Sequence, residues 1–333
     1  MTAKLGRSVR TAALGTALVC ALSSAPPAHA AESTYPARPV RLVVPFAAGG
    51  PTDILGRLFA EKLTAHWGRQ VVVDSRPGAS GIIGADIVAK SNPDGYTILF
   101  GSTSTFAVNG VVLKNIPYDI VRDFSFIGLA SNGPHVLMVR NGFAAKTVPE
   151  LIAMARKQPG QIKYGSAGTG TIIHMTVELF RLHTGVDIVH VPYKGGGPSV
   201  IALLGGEVDL VINDLSVLLP HIKSGKAIAL AASHTSRLAP LPDVPTFAEL
   251  GFPGIVASTW FGVAIPVKTP AAIRAPIADA HRQVVARADY RERLATLAME
   301  PLVLTPQETA QFLKREIDKW QKVVDTAGIK VEN

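Results

Sequence analysis

The chain has 333 residues, of which 47% are hydrophobic and 17% charged, with 30 Gly, 24 Pro and a single Cys. That apolar fraction excludes a disordered polypeptide, one Cys excludes a disulfide scaffold or a Cys-rich metal module, and the length suits about two domains. A formal charge of +8 would ordinarily bring nucleic acid or a membrane surface into consideration.

The N-terminus changes that reading. Lys4, Arg7 and Arg10 form a basic stretch, residues 11–22 an apolar one, and Ala28-His29-Ala30 a small-residue cleavage site. Residues 1–30 therefore read as a secretory signal peptide cut before Ala31, too short in its apolar run for the roughly 20 residues of a membrane helix. Val19 ahead of Cys20 is bulkier than lipoprotein processing usually tolerates. The mature chain keeps thirty basic against twenty-five acidic residues, a charge of +5, and has no Cys. Such a chain is expected in the periplasm, without thiolate metal sites or a cysteine nucleophile. Its positive charge is scattered and its aromatics are few, which argues against nucleic acid.

Strands and helices alternate along the rest. Short apolar, β-branched runs at 40–45, 71–74 and 97–100 predict strands buried on both faces. A helix is predicted over 52–67, with Ile54, Leu55, Leu58, Phe59 and Leu63 on one stripe and Gly68 as its stop, and a second near 82–91. After Ser131-Asn132-Gly133-Pro134 the pattern restarts. Residues 136–139 are apolar, Thr147 and Glu150 suggest a capping box, and strands recur near 162–164, 188–191, 208–213 and 227–231, with helices at 171–183 and 198–204. One more strand, 262–265, precedes helical patterns over 270–299 and 306–327, the latter opened by Thr305 with Glu308 and closed by Gly328. The terminal helices are too few in strands for a third domain and are expected to cover the first. The resulting organisation is α/β, with one unit from 31–131 plus 258–333, a second from 132–257, and two crossings near Asn132 and Ser258 that would serve as a hinge.

Gly, Ser, Thr and Asn collect after the carboxyl ends of five predicted strands, at 46–52, 101–105, 165–171, 192–199 and 213–216. In open parallel sheets the ligand crevice lies beyond those ends, so five such loops describe a binding site. The helix starts at 51–54 and 170–173 would offer free N–H groups to an anion. Each feature also has a plain structural reading. Thr52 can be an N-cap, Asp53 can serve its own helix, and His174 can be a half-buried histidine of a first turn. Enzyme signatures are missing: there is no phosphate-loop G-x-x-x-x-G-K-[ST], no G-x-S-x-G elbow and no H-E-x-x-H. The glycines of Gly165-Ser166-Ala167-Gly168-Thr169-Gly170 depart from dinucleotide spacing, His183 and His190 lack a helical i, i+4 relation, and Lys194 reads as a solvated lysine on a turn. No catalytic residue, metal or cofactor is expected.

Over nearly its whole mature length the chain resembles the Bug-type extracytoplasmic solute receptors of tripartite tricarboxylate transporters. The resemblance rests on YPARPVRLVVPFAAGGPTD at 35–53, VVVDSRPGASG at 71–81, SNPDGYTILFGSTST at 91–105, YGSAGTGTIIH at 164–174, VHVPYKGGGPSV at 189–200, LLGGEVDLVIND at 203–214 and LPDVPTFAELG at 241–251. Ala47-Ala48 departs from the Pro-Ala frequent before the glycine pair. The resemblance implies a two-lobe periplasmic binding protein of type II, two parallel-sheet domains joined by two crossovers. It further implies a carboxylate ligand held by backbone amides, hydroxyls and water, and delivered by a monomeric receptor to integral-membrane transporter subunits. Carried onto this chain, the contacts would be Phe46, Ala47, Gly50, Thr52, Ser102 and Thr103 from one lobe. Ser166, Gly168, Thr169, His174, Asn213 and Asp214 would come from the other. Asp214 is awkward beside an anion and could orient hydroxyls, bind an amine or carry a proton. The hydroxyl run at 102–105 and His174 favour a dicarboxylate, aromatic ones included. A sensor that docks on a membrane kinase and a secreted enzyme are the competing readings.

Overall fold

A computed structural model describes residues 1–3, 35–327 and 329. The signal-peptide segment and the stop at Gly328 lie outside the described residues. Among the described residues no helix is long and apolar enough to cross a membrane.

The first half opens with β1 (Val40–Val44), α1 (Pro51–Trp67), β2 (Val71–Ser75), α2 (Ile82–Ala89) and β3 (Thr97–Ser102). β1 lies between β2 and β3 and is parallel to both, with Leu42 opposite Val73 and Ile98. α1 ends where predicted, at Gly68 in the left-handed conformation (φ 61°), whose N–H donates to Thr64 O. After β3 the chain enters a π-helical turn at Ser104–Val108 and the short α3 (Asn109–Val112), neither of which the sequence announced.

β4 (Phe124–Arg140) is 17 residues long and belongs to both halves. Its first part runs antiparallel to β9 (Ser258–Pro266), from Phe124 opposite Pro266 to Pro134 opposite Ser258. Its last part, from His135 on, pairs antiparallel with β7 (Leu210–Asp214) and β8 (Ala227–Ser233). Gly and Pro at 133 and 134 therefore sit inside one continuous strand, where the sequence had suggested a break. Between β4 and β9 come α4 (Val148–Lys157), β5 (Lys163–Ser166), α5 (Ile172–Thr184), β6 (Val189–Pro192), α6 (Gly196–Gly205), β7, α7 (Leu215–Lys223) and β8. β5 is parallel to both β6 and β7. The whole sheet reads β2-β1-β3-β9-β4-β7-β5-β6. Each half keeps three parallel strands, and β9 and β4 join them antiparallel.

After β9 the single helical pattern resolves into α8 (Ala271–Ala286) and α9 (Ala288–Thr296), split where Arg287 turns extended (ψ 136°). A two-residue strand, β10 (Glu300–Pro301), pairs with β4, and α10 (Pro306–Ala327) ends the described helices. Ile277, Ala280, Val284, Tyr290 and Leu294 of α8 and α9 pack with Leu55, Phe59 and Phe100. α10 goes further. Trp320 and Val324 share a core with Val108 and Val112 but also with Ile172, Met175 and Leu179 of α5. Leu137, Tyr164, Phe180, Ile212 and Phe247 centre a separate core in the second half.

Candidate ligand-binding site

The turn after β1 is built around Asp53. Its Oδ2 accepts from the Gly49 N–H (3.0 Å) and Arg57 Nε (2.9 Å), while Oδ1 accepts from Ser75 Oγ (3.2 Å). Gly50 occupies the N-cap and Pro51 the first helical position, whose missing N–H would have been free anyway. Thr52 is thus the second helical residue, not the cap, and its side chain is buried toward the space between the halves. Across from it α6 starts at Gly196, two residues earlier than its Pro198 suggested. Asn213 fixes that start, donating through Nδ2 to Gly196 O (3.0 Å) and Ser199 Oγ (3.3 Å). The two turns touch. Ala47 N–H donates to Lys194 O (3.2 Å), and a Cβ placed on Gly197 would stand 2.9 Å from the backbone of Gly49.

A second set of contacts joins the turns at 80 and 104 to the loop and first residue of α5. Ser104 Oγ accepts from the Ile172 N–H (2.9 Å), and Ser80 Oγ donates to Thr169 O. Thr103 does something else. Its hydroxyl accepts from Trp260 N–H (2.8 Å) and lies 3.3 Å from Trp260 O, tying β3 to β9.

The loop 165–171 carries its own scaffold. Ser166 Oγ accepts from Gly168 N–H (3.1 Å) and lies 2.6 Å from His190 Nε2. Thr171 caps α5, accepting from His174 N–H at 3.3 Å. His174 Nδ1 accepts from Gly170 N–H (3.1 Å), so the neutral ring carries its proton on Nε2, 3.6 Å from Glu178 Oε1. The ring stacks on His190 at 4.2 Å between centroids. Burial drives both histidines down, His174 to about 4 and His190 to about 3, with Arg181 and His174 respectively adding to the effect. His174 thus braces the loop from behind.

Beside these contacts lies a small cavity of about 20 Å³, lined by residues of all five polar loops. Phe46, Thr52, Ser102 and Asp214 of the anticipated set face it. So do Pro51, Ser104, Ala167, Ile172, Ile173, Gly196 and Thr259. A wider recess of about 290 Å³ adjoins it, sharing Phe46 and Ala167 and adding Ser80, Gly168, Thr169 and Lys194. Ala47 and Gly50 shape the turn, and Thr103, Ser166, His174 and Asn213 support from beneath without lining either space. Thr259 was missed because it lies on β9, far along the chain from any glycine-rich loop. Its only signal is its place next to the crossing at Ser258.

The lining contains no Lys, Arg or His. Free first-turn N–H groups at Thr52 and Asp53 in α1 and at Gly196 and Gly197 in α6 supply the positive potential instead. Asp214 is fully buried at its floor. Its Oδ2 is 3.1 Å from Thr259 Oγ1, which is 2.7 Å from His135 Nε2, and His135 Nδ1 is 3.0 Å from Thr176 Oγ1. Oδ1 has no hydrogen-bond partner. Burial raises the Asp214 carboxyl well above the ordinary range and lowers His135 to about 3, Lys319 adding slightly to the latter.

Residues 55–329 match the family described as tripartite tricarboxylate transporter family receptor. Protein BugT of Bordetella pertussis is 38% identical over 306 residues, covering 92% of this chain and 94% of BugT. Among solved structures, R. palustris Rpa4515 with adipate superposes with a TM-score of 0.86 at 37% identity, covering 89% of this chain and 99% of that one. MatC from Rhodopseudomonas palustris with bound malate gives 0.82 at 31%, covering 87% and 100%. The fold is accordingly the two-lobe α/β fold of periplasmic solute-binding proteins, and the family consists of receptors and not enzymes. The chain belongs to the tripartite tricarboxylate transporter receptor family, which includes the periplasmic binding protein BugD.

Proposed function

We propose that this protein is a periplasmic receptor that captures a small dicarboxylate between two lobes and hands it to the membrane subunits of a tripartite tricarboxylate transporter. Residues 31–131 with 258–333 form one lobe and 132–257 the other, hinged where β4 and β9 pass between them. The observation that carries this reading is the cavity itself: two helix starts, α1 and α6, and the hydroxyls of Thr52, Ser102, Ser104 and Thr259 converge on a space without a cationic side chain. Backbone amides at helix starts favour a carboxylate by charge-assisted hydrogen bonds, without the desolvation cost of a buried arginine. The cavity suits one carboxylate head, and the adjoining recess, with Ser80, Thr169 and Lys194, suits the rest of an elongated or aromatic acid and its second carboxylate. Adipate and malate in the related structures fit that class.

Closure supplies the signal to the transporter. The Ser104–Ile172 and Ala47–Lys194 bonds exist only with the lobes together, so a ligand that bridges them shifts the population toward the closed form. A thermal-shift screen of the mature chain over a carboxylate panel tests the reading. Dicarboxylates should raise the melting temperature in proportion to the logarithm of their concentration. A panel shifted by neutral sugars alone would refute it.

A further inference from the structure

An acid without a counter-cation lines the site assigned to an anion. Resting on the carboxylate reading above, we propose that Asp214 recognises the ligand as an un-ionised carboxylic acid, its Oδ1–H donating to a ligand carboxylate oxygen. The geometry carries this. Oδ1 is buried without a partner on a residue that lines the cavity. Oδ2 is the end of a chain through Thr259 and His135 to Thr176, which also donates to Ile172 O (2.8 Å).

Proton accounting along that chain gives two orders. In one, Asp214 donates from Oδ2 to Thr259, Thr259 to His135 Nε2, His135 Nδ1–H to Thr176, and Thr176 to Ile172 O. In the other the three bonds from Asp214 to Thr176 are reversed: Thr176 turns its single proton from Ile172 O to His135 Nδ1, giving up that carbonyl bond, His135 Nε2–H donates to Thr259, Thr259 to Oδ2, and the acid proton stands on Oδ1, free for the ligand. Both orders hold the same protons, with a neutral acid and a neutral imidazole. The charge-separated alternative would bury two ions 4.0 Å apart. Burial opposes the charged form of each.

The surroundings offer no other charge to stabilise an ionised Asp214. β4 presents His135 and the glycine at 133, 3.2 Å from Oδ1 measured from where a Cβ would stand; β9 presents Thr259, and β7 presents Asn213. α5 reaches the chain through Thr176, and the Lys319 charge on α10 acts on His135 through space. An ionised Asp214 would repel the ligand, whereas two carboxyls sharing one proton attract.

The test is calorimetric titration of the mature chain and of Asp214→Asn with adipate and malate from pH 6 to 9, with infrared difference spectra of the two unliganded proteins. The amide is neutral but a weaker donor than a carboxylic acid, so Asp214→Asn should bind about three- to tenfold more weakly than wild type at neutral pH. Wild-type affinity should fall by up to about tenfold per pH unit once the acid ionises, and the variant's should not. The carbonyl stretch of a protonated carboxyl should be present in wild type and absent from the variant. Absence of that band in wild type would overturn the proposal, as would a folded Asp214→Asn that binds about tenfold or more tightly at neutral pH, since replacing an ionised carboxylate would relieve its repulsion of the ligand. If neither carboxylate bound, the band being present, the receptor reading would fall and the ligand contact with it. Binding without the band would remove the neutral acid alone.

Discussion

Ser104 accepts the backbone N–H of Ile172 at 2.9 Å, joining the loop after β3 to the first turn of α5 across the cavity. Both residues line that cavity and both are buried. The bond is therefore a latch between the halves, made from an amide that α5 itself cannot satisfy. Ser104→Ala leaves that donor without a partner in the closed arrangement only. Ligand affinity by calorimetry should fall by roughly tenfold, about 1.4 kcal/mol, with little change in the melting temperature of the ligand-free protein.

Gly197→Ala tests the approach of α6 to the β1–α1 turn. Its added methyl would lie 2.9 Å from Gly49 backbone atoms, which cannot rotate away as a side chain can. Small-angle scattering should show that saturating dicarboxylate no longer compacts the variant to the wild-type radius. Affinity should fall by about 1–3 kcal/mol, the usual cost of overpacking.

Thr52 and Ser166 are both hydroxyl residues of the polar loops, yet they should behave differently. Thr52 faces the cavity, and Thr52→Ala should cost about 1–3 kcal/mol of ligand binding through a lost charge-assisted hydrogen bond. Ser166 holds Gly168 N–H and meets His190, so Ser166→Ala should loosen the loop. Amide hydrogen exchange at Gly168 should quicken, with a smaller loss of affinity than in Thr52→Ala.

Stability should respond to pH with opposite signs from two kinds of buried group. His135, His174 and His281 are lowered to about 3, 4 and 4, chiefly by burial. Unfolding lets them take up protons below their ordinary range, so they support the fold at neutral pH and lose that support as pH drops from about 6.5 toward 4. Each contributes a slope of at most about 1.4 kcal/mol per pH unit. Asp214, raised in the fold, acts the other way, since the unfolded acid gives up its proton first as pH rises. Thermal melts should therefore show Asp214→Asn gaining stability over wild type from pH 5 to 8, with the gap closing toward pH 4.

Most of this fold was legible because its strands are apolar runs and its helices carry their stops. Gly68 and Gly185 both end helices in the left-handed conformation. What escaped is where tertiary pairing overrides local punctuation. Asn132-Gly133-Pro134 reads as a turn, but β9 pairs with all three and keeps the strand extended through the crossing. The Ser104–Val108 turn shows no period, since all five of its residues are buried. Arg287 breaks α8 from α9 without a Gly or Pro to mark it. At the site, each of the five polar loops places a residue on the cavity, but which side chains face it depends on local bonds that spacing does not encode. His174 turns back to Gly170, Thr103 to Trp260 and Asn213 to Gly196, each because a nearby backbone group needs a partner. The capping boxes show the same limit. Thr305 and Glu308 close theirs reciprocally, whereas Glu150 accepts from Lys146 N–H, one residue ahead of the cap at Thr147.

The claim that a carboxylate is held by the starts of α1 and α6 is tested most directly by amide chemical shifts during a dicarboxylate titration. The resonances of Thr52, Asp53, Gly196 and Gly197 should move together and saturate with the calorimetric isotherm, as hydrogen bonds to an anion form at those N–H groups. Saturable binding that leaves all four amides unmoved would contradict it.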